Sequence, residues 1–294
     1  MPLERSITAL IRFITSPFPY DGPIPETGDP FLDVIEAGRR GHTAPRGGLL
    51  WEDEHYFDRR TLLYVPVGFD PEWPATLVVF FHGNDTTLER DVVARQRVHA
   101  QVEASGLNAI LAAPQFAYDA PDSSAGGFWR PQAFRRWLAE VAEKLAPLLG
   151  DARLESRLDT LPVVLVAYSG GYNPAAFALS VGGADDRICG VLLLDALYDD
   201  EEAVADWVAR RGDAFFISAY TASSQPSNDL LQTLLSERGA SFDHVAGDPT
   251  AQPGSASFLF VDTVAHEDFV TRAWRETPIQ WLLATLAEQD RCGA

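Results

Sequence analysis

The chain has 294 residues, 46% hydrophobic and 22% charged, enough to bury a sizeable core in one large α/β domain or two small ones. Forty-two acidic against twenty-three basic side chains give a formal charge of −19, a field that repels nucleic-acid phosphates and anionic lipid and so excludes both as expected partners. No apolar run approaches the length that spans a bilayer.

At the N-terminus, Ile7–Ile14 is interrupted by Thr8 and Arg12, whereas a secretory signal wants a longer unbroken apolar region, so a cytoplasmic location is expected. Residues 17–48 are rich in Pro, Gly and Asp without a clear period. Residues 1–50 are therefore expected as an irregular arm packed on a core, and 51–294 as one domain. Strands are predicted at Thr61–Val67, Thr76–Phe81, Asn108–Ala113, Pro162–Ala167, Gly190–Leu194, Ala214–Ala219 and Ser257–Val261. Most are continuous aliphatic runs, as in a parallel sheet buried on both faces. Helices are predicted between them at Leu88–Ala104, Pro131–Leu149, Pro174–Val181, Glu201–Arg210, Asn228–Arg238 and Pro278–Glu288. Asp200 is placed to cap the helix at Glu201, and Pro131 to take a first helical position. This alternation means an α/β fold with a mostly parallel sheet. Of the two cysteines, Cys189 opens an apolar run and Cys292 lies in the C-terminal tail, so no bridge is expected.

Ligands of such a sheet sit at the carboxyl ends of its strands, and four places there carry reactive groups. The strand ending at Ala167 stops at Ala167-Tyr168-Ser169-Gly170-Gly171 and turns into helix-compatible sequence. Small neighbours permit a tight turn that lifts the Ser169 hydroxyl above the sheet, although Ala167 stands where glycine is commoner. An alcohol needs an adjacent base. Among six histidines, His266 alone follows the last strand, with His244 as its rival, and imidazole titrates near neutrality. Asp195 ends the run Val191–Leu194, where a buried carboxylate needs a partner, and orienting a histidine supplies one. Asp199, Asp200 and Asp229 compete for that role, but Tyr220–Asn228, after the next strand, holds no acid. Finally, His82-Gly83-Asn84-Asp85 follows Thr76–Phe81. Its backbone can approach a substrate closely, so the amides of Gly170 and of Asn84 or Asp85 are candidate oxyanion donors, with His82 a structural loop residue.

Together these residues resemble the α/β-hydrolase family over about Trp51 to Glu288, through the strand ending in His82-Gly83, the Ser169 elbow, and the chain order Ser169, Asp195, His266. The segment Tyr64–Pro71 is also loosely similar to the opening of carboxylesterases and polyester depolymerases. The resemblance implies a central sheet of about eight strands with helices on both faces. It also implies Ser169 as nucleophile, His266 as base and Asp195 as acid, the last in the lipase-type position. The missing first glycine and the acid's position depart from the commoner pattern.

The long segment Pro114–Trp129 follows a strand end and carries four aromatics, so Phe116, Tyr118, Phe128 and Trp129 are expected to line an apolar pocket or to form a small core of their own. Tyr172, Tyr198 and Tyr220 lie near other strand ends. Zinc-protease, Cys-x-x-Cys and phosphate-loop motifs are all missing, so neither metal nor cofactor is expected. These features lead to a serine hydrolase of a small-molecule or oligomeric carboxylic ester, with a peptidase or amidase, or a binding protein on the same scaffold, as competing readings.

Overall fold

A computed structural model describes residues 2–289. Among them the strands are β1 (Ile7–Arg12), β2 (Val34–Glu36), β3 (Arg39–Ala44), β4 (Gly48–Trp51), β5 (Arg60–Val65), β6 (Thr76–Phe81), β7 (Ala109–Pro114), β8 (Val163–Tyr168), β9 (Ile188–Leu194), β10 (Phe215–Tyr220), β11 (Asp243–His244) and β12 (Ala256–Phe260). The helices are α1 (Glu52–His55), α2 (Val98–Ala104), α3 (Ala133–Leu148), α4 (Glu155–Leu158), α5 (Tyr172–Ser180), α6 (Glu201–Arg210), α7 (Gln225–Glu237) and α8 (Pro278–Gln289).

Nine strands form one sheet in the order β1-β5-β7-β6-β8-β9-β10-β12-β11, one more than expected. It is parallel from β7 to β11, while β5 pairs antiparallel with both β7 and β1. The period of two along a strand sends alternate side chains to opposite faces. On one side Val79, Phe81, Leu165 and Leu193 pack with Trp137 of α3, Leu179 of α5, Trp207 of α6 and Leu231 of α7. On the other, Val78, Phe80, Val166 and Leu192 pack with Val98 and Val102 of α2 and Leu282 and Leu283 of α8. Both faces are dry, which is why these strands are aliphatic throughout. Each fully buried Val, Leu or Phe contributes about 1.5–3 kcal/mol.

Register carries this packing to the strand ends. Phe81 pairs with Ala167, and Tyr168 pairs with Leu194. The residues just beyond, Gly83, Ser169 and Asp195, therefore emerge side by side at the carboxyl edge.

Several expectations are corrected. The helix predicted over Leu88–Ala104 is two pieces: a wide π-type turn, Leu88–Arg95, then α2, with Arg97 between them in the left-handed region at φ 52°. Pro131 precedes its helix, which begins at Ala133 after a left-handed Gln132. Asp200 does not cap α6; it is itself left-handed and its carboxylate accepts from Asn173. Cys189 is disulfide-bonded, against the expectation of no bridge; Cys292 lies outside the described residues. The arm is not irregular throughout. Its β1 joins the main sheet and β2-β3-β4 form a small antiparallel meander. Phe13, Phe18, Tyr20 and Phe31 bury against the main core, and Gly127 donates to Pro17. Gly126 makes that contact possible, since a Cβ there would stand 2.6 Å from the Pro17 carbonyl. No helix among the described residues is long and apolar enough to cross a membrane.

Candidate active site

β8 ends and α5 begins within three residues, and the turn between them puts Ser169 at φ 52°. A non-glycine residue is held there at a cost of order 1–3 kcal/mol, a strain typical of functional turns. Neighbouring glycines make room. A Cβ on Gly171 would stand 2.4 Å from the Phe81 carbonyl, and one on Gly170 would stand 2.1 Å from Asn84 Oδ1.

Ser169 Oγ lies 2.8 Å from His266 Nε2, and His266 Nδ1 lies 2.7 Å from Asp195 Oδ2. His266 opens a short turn after β12, with its side chain 37% exposed. Asp195 is wholly buried in the left-handed region at φ 47°, its amide donating to Ala219. Its carboxylate accepts from the Thr221 amide at 3.0 Å, from the Thr221 hydroxyl at 2.9 Å and from Ser224 Oγ. Burial alone would raise the Asp195 pKa; the donors from His266, Ser224 and Thr221 outweigh it and hold the carboxyl below the usual range. The stretch that lacks an acid thus supplies hydroxyls to the acid on the neighbouring strand. Of the rivals, Asp229 and Asp199 are exposed, and Asp200 bonds Asn173 instead. His244, on the edge strand β11, packs edge-to-face with Phe242.

Beside the serine, His82 is buried and neutral, its pKa pushed down to about 4 by burial. Nδ1 lies 2.7 Å from the Gly83 carbonyl and Nε2 accepts from the Phe116 amide at 2.9 Å, which fixes the loop that carries Gly83 and Asn84. Asp85 is removed from the oxyanion candidates because its amide donates to Ala120 at 2.8 Å. Gly170 and Asn84 remain, facing each other across the turn.

The neighbouring cleft holds about 390 Å³. Trp129, Tyr172 and Tyr198 line it, with Asn84, Ser123, Asn173 and Asp200, and the arm closes one wall with Glu26, His42 and Arg46. Phe116 and Phe128 do not line it. Both are buried in an edge-to-face cluster with Phe81, Phe134 and Trp137, so this part of the aromatic segment is a core. Tyr118 packs at a tilt on Phe57 away from the cleft, and Tyr220 packs on Phe260. The arm residues escaped sequence reasoning because nothing local marks Glu26, His42 or Arg46 as facing a strand end. Among the described residues no group of three or more His, Cys, Asp or Glu is placed to hold a metal ion.

No family model matches the sequence, and no curated protein matches it. Solved structures do. A serine-to-alanine mutant of the feruloyl esterase module from Clostridium thermocellum, complexed with sinapinate, is 12% identical, with 92% of this chain and 95% of that chain covered and a TM-score of 0.50. A butyrate-bound esterase from the Planctomycetes species Thermogutta terrifontis is 13% identical over 79% of this chain and 87% of that one, with a TM-score of 0.46. An S-formylglutathione hydrolase from Agrobacterium tumefaciens is 14% identical over 88% and 98%, with a TM-score of 0.44. Strand order, register and the similarity to the feruloyl esterase module agree: the chain has the α/β-hydrolase fold.

Proposed function

We propose that the protein is a serine hydrolase of carboxylic esters in which Ser169, His266 and Asp195 act as nucleophile, base and acid. The observation that carries this reading is the unbroken hydrogen-bond chain from Ser169 Oγ through both ring nitrogens of His266 to the buried Asp195. Ser169 attacks the acyl carbon while His266 Nε2 takes its proton, and the negative charge that forms on the carbonyl oxygen is met by the amides of Gly170 and Asn84. Asp195 holds the imidazole with its Nδ1 proton inward and offsets the positive charge that develops on the ring. His266 then hands the proton to the leaving alcohol, and a water activated by the same ring releases the acid and restores Ser169.

The feruloyl esterase module that shares the fold favours an ester over an amide. The cleft, which sets Asn84, Ser123, Asn173 and Asp200 beside Trp129, Tyr172 and Tyr198, supports a substrate with a hydrogen-bonding remainder.

A fluorophosphonate probe with peptide mass mapping tests the reaction. Stoichiometric labelling at Ser169, lost in Ser169→Ala and greatly slowed in His266→Ala, is expected. A folded sample that stays unlabelled favours the binding-protein reading. Rates on short-chain aryl esters against matched anilides divide esterase from amidase.

A further inference from the structure

The histidine of the site sits on the segment 261–277, which has little regular structure, so something other than an element must hold its backbone. Phe269 and Val270 anchor the segment in the core, but His266 lies before them and is partly exposed. Three side chains from outside the segment supply what is missing. The Tyr168 hydroxyl donates to the His266 carbonyl at 3.1 Å, and its ring stacks on the imidazole with centroids 5.2 Å apart. Arg95 Nη1 donates to the next carbonyl, that of Glu267, at 3.0 Å. Gln101 Nε2 donates to the Val270 carbonyl at 2.9 Å, while its Oε1 accepts from the amides of Ile279 and Gln280 where α8 begins.

We propose that Tyr168, Arg95 and Gln101 form a clamp of positioning residues that fixes the backbone of the His266 loop and so sets the distance from imidazole to Ser169. The inference rests on the Ser169–His266–Asp195 reading. Each member is itself held. Tyr168 belongs to β8 and immediately precedes Ser169, so one strand end carries both the nucleophile and a strut for its base. Arg95 is fixed by Asp91 at 3.0 Å, and buried Asp91 accepts in turn from the Thr87 amide at 2.8 Å. Burial pushes the Tyr168 phenol up, so it remains a donor across the working pH range. The π-type turn also links two loops of the site: Arg90 donates to the Asp85 carbonyl at 2.6 Å beside Asn84, and Arg95 reaches the histidine loop. Misplacing a catalytic group by an ångström can cost on the order of a hundredfold in rate, so a side chain that never touches substrate still governs turnover.

Tyr168→Phe keeps the stacked ring and loses the hydroxyl. Arg95→Gln loses the charge, and Arg95→Lys keeps a donor. Gln101 also secures α8, so the test uses the other two positions, with Arg272→Gln as a control because Arg272, itself within the segment, extends its side chain to an exposed pair with Asp268. The measurements are kcat and KM on a short aryl ester and the rate of fluorophosphonate labelling, both normalised to folded protein by circular dichroism. Tyr168→Phe and Arg95→Gln are each expected to lower kcat and labelling rate roughly ten- to hundredfold with KM within about twofold. Arg95→Lys should recover part of the loss, and Arg272→Gln should match wild type. Variants that label as fast as wild type overturn the clamp while leaving the triad standing; so does an equal loss in Arg272→Gln. Failure of the wild-type protein to label at Ser169 overturns the triad reading itself.

Discussion

Gly83 faces Ser169 so closely that a methyl group built on it would stand 2.6 Å from Ser169 Cβ and 3.1 Å from its Oγ. The same methyl would lie 3.2 Å from the Tyr168 ring. None of these atoms can give way cheaply, because Ser169 is fixed in a strained turn and Tyr168 is stacked on His266. Gly83→Ala is therefore expected to push Ser169 off its hydrogen bond to His266 and to lower kcat/KM by roughly a hundredfold or more. Steady-state kinetics on a short aryl ester checks this; a variant within threefold of wild type would show that the loop yields and that the contact is unimportant.

Asp195→Asn should remove about four orders of magnitude from kcat. An asparagine there can present an amide N–H to His266 Nδ1, which favours the tautomer whose proton points at Ser169. The geometry at Asp195 makes this a test of charge and tautomer, because the Thr221 amide and the Ser224 hydroxyl, which donate to the other carboxylate oxygen, would still hold the side chain in place. Asp229→Asn, on the exposed face of α7, should leave kcat within about twofold. The reverse pattern would transfer the acid's role to Asp229.

Asp200 is expected to make the fold less stable as pH rises. Burial, then the charges of Asp199, Glu26 and Glu201, push its pKa up to about 6 against the donor from Asn173. The folded pKa lies above the unfolded one, so the folded state holds the proton more tightly. Stability from this group is present below the unfolded value and is lost between about pH 4 and pH 6, where only the folded state is still protonated. Asp200→Asn keeps the acceptor for Asn173 and removes the charge. It should stabilise the protein by roughly 1–3 kcal/mol at pH 7.5 and by little near pH 4. Thermal melts at the two pH values decide it, and an equal gain at both would assign the effect to packing instead.

How much of this was legible beforehand follows from what a linear pattern records. The buried strands announce themselves because both faces are dry, which is why β6 matches its predicted bounds and the other core strands shift by only a residue or two. Ser169, Asp195 and His266 stand out in the sequence as candidates because each follows the end of such a strand. Failures came where a distant partner decides. Asp200 reads as a helix cap until Asn173 claims its carboxylate. Asp85 reads as an oxyanion donor until the Ala120 carbonyl takes its amide. The arm reads as irregular because β2, β3 and β4 are short, lie among Pro and Gly, and pair with one another. Tyr168 gave no signal, since its partner carbonyl lies 98 residues away in the chain.

The aromatic segment separates two kinds of residue that look alike in sequence, and the separation can be measured. Phe128 lies among Phe81, Phe116, Phe134 and Trp137, with no face on the cleft. Truncation to alanine leaves a void in a well-packed region, so Phe128→Ala should cost about 3–5 kcal/mol of stability, with KM for the folded fraction nearly unchanged. Tyr198 is different. It lines the cleft, its ring stands 5.9 Å from that of Tyr172 and 6.4 Å from His266, and the Arg46 guanidinium lies 5.8 Å over it from the arm. Tyr198→Ala removes a wall of the cleft and the seat of Arg46, and is expected to raise KM several-fold for esters with a polar remainder while costing less stability than the Phe128 change. If Phe128→Ala shifts KM and Tyr198→Ala does not, substrate enters through the aromatic cluster, and the cleft beside Tyr198 is not its binding site.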